Sequence, residues 1–311
     1  MKIGFLFPGQ GAQSIEMGKD LYDEYEEVRN IYNQINNLTG IDIAKISFYG
    51  SEEELNKTQN TQLAILAMSM GIIEVLKNKN IKAEMATGLS LGEYSALEYS
   101  GAISQTDTIN IVKKRGEYMQ ELVPSGDWNM AAIIGLENDK VEETISNVKS
   151  GFVAIANYNC DGQIVISGEK DEIEEAAKIA KEKGARKVIV LKTAGPFHTM
   201  KLKLASEKLS KDLKAIDFKS FDVSVVKNID GEIYKDSDNI GEILEKHIIS
   251  PVKFDKCLEK MKENGIDTLI EIGPGKVLSG FAKRTFNGAN IMNINNKETL
   301  QNVIEFCSQN N

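Results

Sequence analysis

The pentapeptide GLSLG at residues 88–92 lies where a short apolar segment meets a helical pattern. Residues 84–88 predict a brief strand, and apolar residues at helical spacing from Leu91 predict a helix that begins at once. A strand that turns this sharply into a helix strains the central residue and leaves no room for Cβ atoms at the flanking glycines. Ser90 is therefore a candidate nucleophile at a helix N-terminus, where the dipole and free N–H groups favour a developing anion. The alternative is a small-residue turn that lets a helix pack close to a sheet.

The order of the predicted elements indicates an α/β fold with a parallel sheet. A buried strand at residues 2–7 precedes a helical pattern at 17–37, and strand, turn and helix then follow in that order. Later the pattern changes to β-α-β-β-α-β, which is typical of a ferredoxin-like unit. We therefore expect a small subdomain at residues 126–194, inserted in a larger core made of residues 1–125 and 195–311. The best cleft for a substrate is expected at their junction.

Composition excludes several classes of protein. The 311 residues carry a net charge of −9, which argues against nucleic-acid binding. The longest apolar stretch, residues 63–76, is interrupted by polar residues and is too short for a membrane span, and the start lacks the features of a signal peptide. We therefore expect a soluble cytoplasmic protein that binds neither nucleic acid nor a membrane. The three cysteines are far apart and fit neither a disulfide framework nor a zinc site; they are Cys160, Cys257 and Cys307.

Only two histidines are available as the general base that a serine nucleophile needs. His198 follows a rigid turn at residues 194–197 and precedes a predicted helix, a place from which an imidazole can reach across the junction. His247 lies within a helical stretch, where a lone histidine is more often a packing residue. We favour His198 as the base and keep His247 as a candidate residue that lines the site.

Acyl transfer also needs an oxyanion hole and a group that recognises the substrate. The N–H of Leu91, directly after the candidate nucleophile, is one donor in this turn geometry. A second donor must come from another loop, and the PGQG segment at residues 8–11 is suited to present one. The basic run at residues 113–115 is, by itself, most simply a solvated helix face. No metal-binding motif occurs in the sequence.

Further motifs occur in a fixed order along nearly the whole chain. In these motifs the chain resembles the malonyl-CoA:acyl carrier protein transacylases of fatty-acid synthesis. The resemblance implies an α/β-hydrolase-like parallel-sheet core with an inserted ferredoxin-like subdomain, in agreement with the division above. The motifs are FPGQG at 7–11, GLSLGE at 88–93, RG at 115–116, NYN at 157–159, GQIVISG at 162–168, GPFH at 195–198, PV at 251–252 and EIGPG at 271–275.

The resemblance implies an acyl-carrier-protein S-malonyltransferase. Such an enzyme moves the malonyl group from malonyl-CoA to the phosphopantetheine thiol of acyl carrier protein, through an acyl-enzyme on Ser90. His198 is then the base, oriented by a backbone carbonyl near residues 251–252 in place of an acidic residue. The oxyanion hole is formed by the N–H groups of Gln10 and Leu91. No cofactor is implied beyond the coenzyme A thioester as substrate, and the protein is expected to be a monomer.

The resemblance also implies which residues contact the substrate. Arg115 binds the free carboxylate of the malonyl group, because a planar guanidinium can hold it with two hydrogen bonds. Phe197, beside the base, suggests a tight pocket that favours malonyl over branched groups, and Asn159 is expected to bind substrate. Two positions depart from the family. Leu89 stands where a histidine is frequent and His247 where a glutamine is frequent, which affects the fine shape of the pocket.

A basic patch on the inserted subdomain is expected to steer the acidic carrier protein. Arg186 and Lys187 are the candidates, and the alternative is an ordinary solvated surface. Three other functions remain open from sequence. A discrete acyltransferase of a polyketide assembly line differs only in its partner, a serine hydrolase has no need of Arg115, and a carrier-docking module would have a vestigial site.

Overall fold

Two β-sheets organise the chain, of which the computed structural model describes residues 1–192 and 195–310. Residues 193 and 194, in the predicted subdomain, and residue 311, in the predicted core, lie outside the described residues. The strands are β1 (Ile3–Phe7), β2 (Met85–Gly88), β3 (Trp128–Ile134), β4 (Val153–Cys160), β5 (Gln163–Glu169), β6 (Lys187–Lys192), β7 (Ser224–Val225), β8 (Val252–Lys253), β9 (Thr268–Ile272) and β10 (Asn290–Ile294).

Helices cover both sheets. A 3-10 turn at Met200–Leu202 precedes the tenth of them. The helices are α1 (Lys19–Glu24), α2 (Glu26–Thr39), α3 (Ile43–Tyr49), α4 (Glu52–Leu55), α5 (Thr58–Asn78), α6 (Gly92–Tyr99), α7 (Gln105–Glu121), α8 (Asn138–Ser146), α9 (Lys170–Glu182), α10 (Lys203–Leu213), α11 (Ile240–His247), α12 (Phe254–Glu263), α13 (Val277–Thr285) and α14 (Lys297–Asn310).

The first sheet is parallel, in the order β10-β9-β1-β2-β7, so the predicted α/β fold with a parallel sheet is confirmed. Strand β1 is buried at every residue, as expected for a parallel strand covered on both faces. It pairs with β2 so that Phe7 lies opposite Gly88, at the carboxyl ends of both strands. A parallel sheet gathers the loops that follow its strands along one edge. The loops after β1 and β2 are therefore neighbours.

The second sheet has the order β6-β3-β5-β4-β8. Strands β3 to β6 pair with one another in antiparallel fashion and, with α8 and α9, follow one another as β-α-β-β-α-β. Alternate residues of β3 face opposite sides. Ala131 and Ile133 pack with the two helices, whereas Met130 and Ala132 line a cavity between the sheets. Strand β8 comes from beyond residue 195 and pairs in parallel with β4, which ties this sheet to the rest of the chain.

Helix α5 forms the centre of the main core. Every residue from Leu63 to Ile73 is buried, and the helix packs against α2 and α7. A helix that is apolar on all sides is either a core helix or a membrane span. Over the described ranges, no helix combines the length and the apolar character that crossing a membrane requires.

The first helical segment differs from its prediction. The pattern over residues 17–37 predicts one helix, and the structure has two, α1 and α2, which meet at Tyr25. This residue has an extended backbone, with φ −104° and ψ 125°, and it packs against the main core. Periodicity could not reveal the break, because the apolar spacing continues across it.

Glycines set the distance between helix and sheet at the GLSLG turn. A Cβ atom at Gly92, the first residue of α6, would lie 2.0 Å from the carbonyl oxygen of Phe7. A Cβ atom at Gly88 would lie 2.0 Å from the carbonyl carbon of Gly92, and one at Gly9 would lie 2.3 Å from the carbonyl oxygen of Leu89. These contacts allow the helix to begin directly after the strand and bring the loop after β1 against the turn.

Substitution of Gly92 by alanine should destabilise the protein by about 3 kcal/mol, because the added methyl group meets backbone atoms inside a sheet. Gly280→Ala in α13 is the matched control, since a Cβ atom there meets nothing within 4 Å. That substitution should stabilise the helix by about 1 kcal/mol. Urea unfolding measures both free energies, and equal effects of the two substitutions would contradict the packing role of Gly92.

Candidate active site

Ser90 occupies the turn between β2 and α6 in a left-handed backbone conformation, with φ at +55°. This conformation is strained for a residue with a side chain, and such turns present the hydroxyl above the edge of the sheet. The side chain of Asn228 holds the turn on both sides. Its Oδ1 accepts the N–H of Ser90 at 2.8 Å, and its Nδ2 donates to the carbonyl of Gly88 at 2.7 Å.

His198 is in hydrogen-bond contact with Ser90. Its Nε2 lies 2.7 Å from the Oγ of Ser90, and its Nδ1 lies 3.0 Å from the backbone carbonyl of His247. A carbonyl can only accept, so Nδ1 carries the proton and Nε2 is left as the acceptor for the hydroxyl. Burial, together with the positive charge of Arg115, lowers the pKa of His198 to about 4. The imidazole is therefore uncharged near neutral pH, the form that can accept a proton.

Arg115 lies beside the nucleophile with only 1% of its surface exposed, so its interpretation as a solvated residue is wrong. Its Nη2 donates to the Oγ of Ser90 at 3.0 Å and its Nη1 to the Oε1 of Gln62 at 2.8 Å. Both acceptors are uncharged. Within the described residues the Nε has no hydrogen-bond partner. A buried cation is costly unless an anion pairs with it, and this one is placed to bind an anionic group next to Ser90.

Two backbone N–H groups flank the nucleophile. The loop after β1 carries Gln10, and the turn after β2 carries Leu91. Across residues 1–192 and 195–310, neither N–H has a backbone or side-chain acceptor. Gln10 lines the cavity, whereas the side chain of Leu91 is fully buried and only its backbone is available. Two free donors of this kind, one directly after the nucleophile, are suited to stabilise an oxyanion.

A cavity of about 850 Å³ lies over this group and is lined by both sheets. Ser90, His198 and Arg115 line it together. Of the residues predicted to contact substrate, Asn159 and Phe197 also line it, and the Oδ1 of Asn159 is buried without a hydrogen-bond partner among the described residues. Apolar walls are added by β6 and α13, through Ile189, Val190, Leu191, Val277 and Phe281.

The imidazole of His247 is not among the side chains that line this cavity. It packs against His198, with ring centres 5.1 Å apart, and is 1% exposed. Only its carbonyl reaches the site, where it orients His198. This is the carbonyl that the resemblance places near residues 251–252, and it lies four residues before Pro251. His247 therefore serves the site through its backbone.

Three buried polar residues of this region were missed by sequence reasoning. Gln62 orients Arg115, Asn228 holds the turn, and Glu93 lies behind both Ser90 and His198. Glu93 carried a signal, because it is the one charged residue of the segment 88–97. Gln62 ends a polar run at residues 56–62 and carried none. Asn228 follows a two-residue strand and had no such signal.

The three cysteines are not among the described residues that line the cavity. Cys160, Cys257 and Cys307 are buried free thiols. In the part of the chain that the structure describes, no group of three or more histidine, cysteine and acidic residues could hold a metal ion.

Comparison with known proteins agrees with the motifs. Residues 4–303 match the family model of the acyl transferase domain. The malonyl CoA-acyl carrier protein transacylase of Bacillus subtilis (strain 168) is 39% identical over 312 residues, which span 100% of this chain and 98% of the relative. The resemblance seen in the sequence is thus confirmed.

Solved structures of similar proteins superpose closely. The malonyl CoA-acyl carrier protein transacylase of Clostridium perfringens gives a TM-score of 0.94 at 42% identity, covering 99% of this chain and 98% of that one. A malonyl-transacylase in complex with its type II PKS acyl-carrier protein gives a TM-score of 0.95 at 35% identity, covering 98% and 100%.

The protonation state of His198 can be tested by nitrogen NMR of the imidazoles, since the chain has two histidines and His247→Gln assigns the signals. His198 should be neutral with its proton on Nδ1 at pH 7 and should titrate near pH 4. Arg115→Ala should raise this pKa toward 6.5, because it removes one of the two causes that disfavour the charged ring. A titration near pH 6.5 in the unmodified protein, or a proton on Nε2, would contradict the assignment.

Proposed function

The chain belongs to the acyl transferase domain family, and we propose that it moves malonyl groups from malonyl-CoA to the phosphopantetheine thiol of acyl carrier protein for fatty-acid synthesis. The observation that carries the proposal is the buried guanidinium of Arg115 beside Ser90, which bonds to two uncharged acceptors and whose Nε has no partner among the described residues. An acyl group with its own carboxylate supplies the missing anion, whereas an acetyl group does not. A simple serine hydrolase has no use for this cation.

The first half-reaction loads the enzyme. His198 Nε2 takes the proton of Ser90 as Oγ attacks the thioester carbonyl, and the N–H groups of Gln10 and Leu91 hold the oxyanion that forms. The carbon–sulfur bond then breaks. His198 returns the proton to the departing coenzyme A thiolate, which leaves a malonyl ester on Ser90.

The second half-reaction reverses these roles. His198 takes the proton of the phosphopantetheine thiol, and the thiolate attacks the ester carbonyl on Ser90. The carbon–oxygen bond to Ser90 breaks and the proton returns to its Oγ, so the enzyme is regenerated. The carbonyl of His247 keeps the imidazole in the same tautomer in both halves.

Arg115 holds the distal carboxylate of the malonyl group during both steps. Its Nε–H has no partner within residues 1–192 and 195–310, and Gln62 fixes the guanidinium from the other side. Phe197 and Asn159 complete the pocket around the acyl group, with Phe197 limiting its width. Leu89 also lines the cavity, in the position where a histidine is frequent in the family.

The carrier protein docks near the exposed end of β6. Arg186 and Lys187 are exposed there, and the same strand continues into residues that line the cavity. An acidic partner attracted to this end would have its phosphopantetheine arm next to the cavity. Carriers of fatty-acid synthesis are the first candidates. Those of polyketide synthesis are the second, because one similar structure is a malonyl-transacylase bound to such a carrier.

The chain divides into a discontinuous α/β-hydrolase-like core, residues 1–125 and 195–311, and a ferredoxin-like subdomain, residues 126–194. The strand order β6-β3-β5-β4 and the separate apolar cluster beneath α8 and α9 support this division. Strand β8 couples the two units.

The enzyme works as a cytoplasmic monomer with no cofactor other than the coenzyme A thioester that it consumes. Each step above balances with one hydroxyl, one imidazole, one guanidinium and two backbone N–H groups. The net charge of −9 favours a soluble, separate molecule.

Arg115→Ala should lower kcat/KM for malonyl-CoA roughly 100-fold, since loss of a buried charged pair costs ~3 kcal/mol. The rate with acetyl-CoA should change far less, because that group has no carboxylate. Lys114→Ala on the same helix is the control, since its Nζ pairs with Asp212 instead. Steady-state rates with both thioesters provide the comparison. Equal losses for malonyl and acetyl groups would remove Arg115 as the carboxylate anchor.

A further inference from the structure

A buried carboxylate with no role in the reaction described above lies behind both Ser90 and His198. Glu93 comes three residues after the nucleophile on α6, and none of its surface is exposed. Its Oε1 accepts the hydroxyl of Tyr234 at 2.6 Å, and its Oε2 accepts the backbone N–H of Asn228 at 3.2 Å.

One branch of this network leads to the nucleophile. The backbone N–H of Asn228 is held by Glu93, and the side chain of Asn228 brackets the turn through the N–H of Ser90 and the carbonyl of Gly88. Because Ser90 has a strained φ of +55°, the turn needs such contacts to persist. Displacement of Asn228 would therefore move Ser90.

The other branch leads to the base. The Oε2 of Glu93 lies 3.2 Å from the Nδ1 of His247, and the backbone carbonyl of the same histidine accepts the Nδ1–H of His198. Neither ring nitrogen of His247 completes a hydrogen bond within the described residues, and the ring is 1% exposed. A proton on either the imidazole or the carboxylate can bridge the two groups.

We propose that Glu93 is a positioning residue. It fixes Ser90 through Asn228, and through His247 it fixes the backbone carbonyl that orients His198. The inference rests on the proposed function, since it concerns the same acyl transfer. Many serine enzymes orient the base with an acidic residue that touches the imidazole. In this chain the carbonyl of His247 contacts the imidazole instead. The acid, Glu93, contacts His247 and Asn228, the residues that hold the base and the nucleophile.

Burial of the Glu93 carboxylate is energetically unfavourable, which supports a role for this residue in function. Burial raises the pKa of Glu93 to about 7, so keeping a carboxylate here opposes stability unless its neighbours offset the desolvation. Glu98, on the same helix, is a matched comparison. It is 6% exposed, burial raises its pKa to about 7 as well, and its charged neighbour is Lys77 at 4.0 Å rather than the reactive pair.

The test compares Glu93→Leu with Glu98→Leu in single-turnover acylation by malonyl-CoA, followed by intact mass. Glu93→Leu should slow acylation at least about tenfold, with the Kd for malonyl-CoA within about twofold of its original value, because small displacements of reacting groups are costly. Glu98→Leu should leave the rate within about twofold, as expected for a residue remote from the reacting pair. Glu93→Gln should recover most of the lost rate, since an amide can still bond to Asn228 and Tyr234.

A second pair of variants decides the matter if Glu93→Leu does not fold. His247→Leu keeps the backbone carbonyl but removes the ring that faces Glu93, and it should slow acylation; His247→Gln should recover most of that loss. The proposal is overturned if Glu93→Leu acylates at the original rate or if Glu93→Leu and Glu98→Leu slow acylation equally. It is also overturned if Glu93→Leu weakens the Kd for malonyl-CoA instead of slowing acylation. With Glu93→Leu unfolded, equal rates for the two His247 variants overturn it. Failure of the unmodified protein to take up a malonyl group would instead refute the proposed function.

Discussion

The close approach of α6 to β1 is the contact on which the site depends. Gly92 lies against the carbonyl of Phe7, so the helix begins directly after β2 and the intervening Ser90 adopts a left-handed backbone. Gly9 lies against the carbonyl of Leu89 in the turn, which brings the loop after β1 beside it. This contact between backbones therefore positions the nucleophile, the helix N-terminus and the N–H groups of Gln10 and Leu91.

If Arg115 binds the malonyl carboxylate as proposed, the charges of the site couple substrate binding to the strength of the base. The positive charge of Arg115 contributes to the low pKa of His198. A carboxylate bound to Arg115 would offset that charge and so raise the basicity of the imidazole. In the proposed reaction, a malonyl group thereby strengthens the base that starts its own transfer, and an acetyl group does not. Selection for malonyl then acts on the chemical step as well as on binding.

Local patterns predicted the parts of the structure that depend on local geometry. The strand, turn and helix around Ser90 follow from glycines at fixed spacing, and the parallel sheet follows from the order of elements. Long-range contacts were not accessible in this way. The break at Tyr25 leaves the apolar spacing intact. Asn228 bonds to Ser90 although the two residues are 138 positions apart in the sequence. The local pattern around Arg115 predicted a solvated cation. Its burial depends on the packing of its helix against α5, which carries Gln62, and local sequence does not show that contact.

The central claim is that Ser90, activated by His198, carries the malonyl group between two thiols. Intact mass after brief mixing with malonyl-CoA, followed by peptide mapping, tests it most directly. We expect one added malonyl group on the peptide that contains Ser90, its loss when holo acyl carrier protein is added, and no adduct on Ser90→Ala. An adduct that persists on Ser90→Ala, or an unmodified protein that never becomes acylated, would contradict the account.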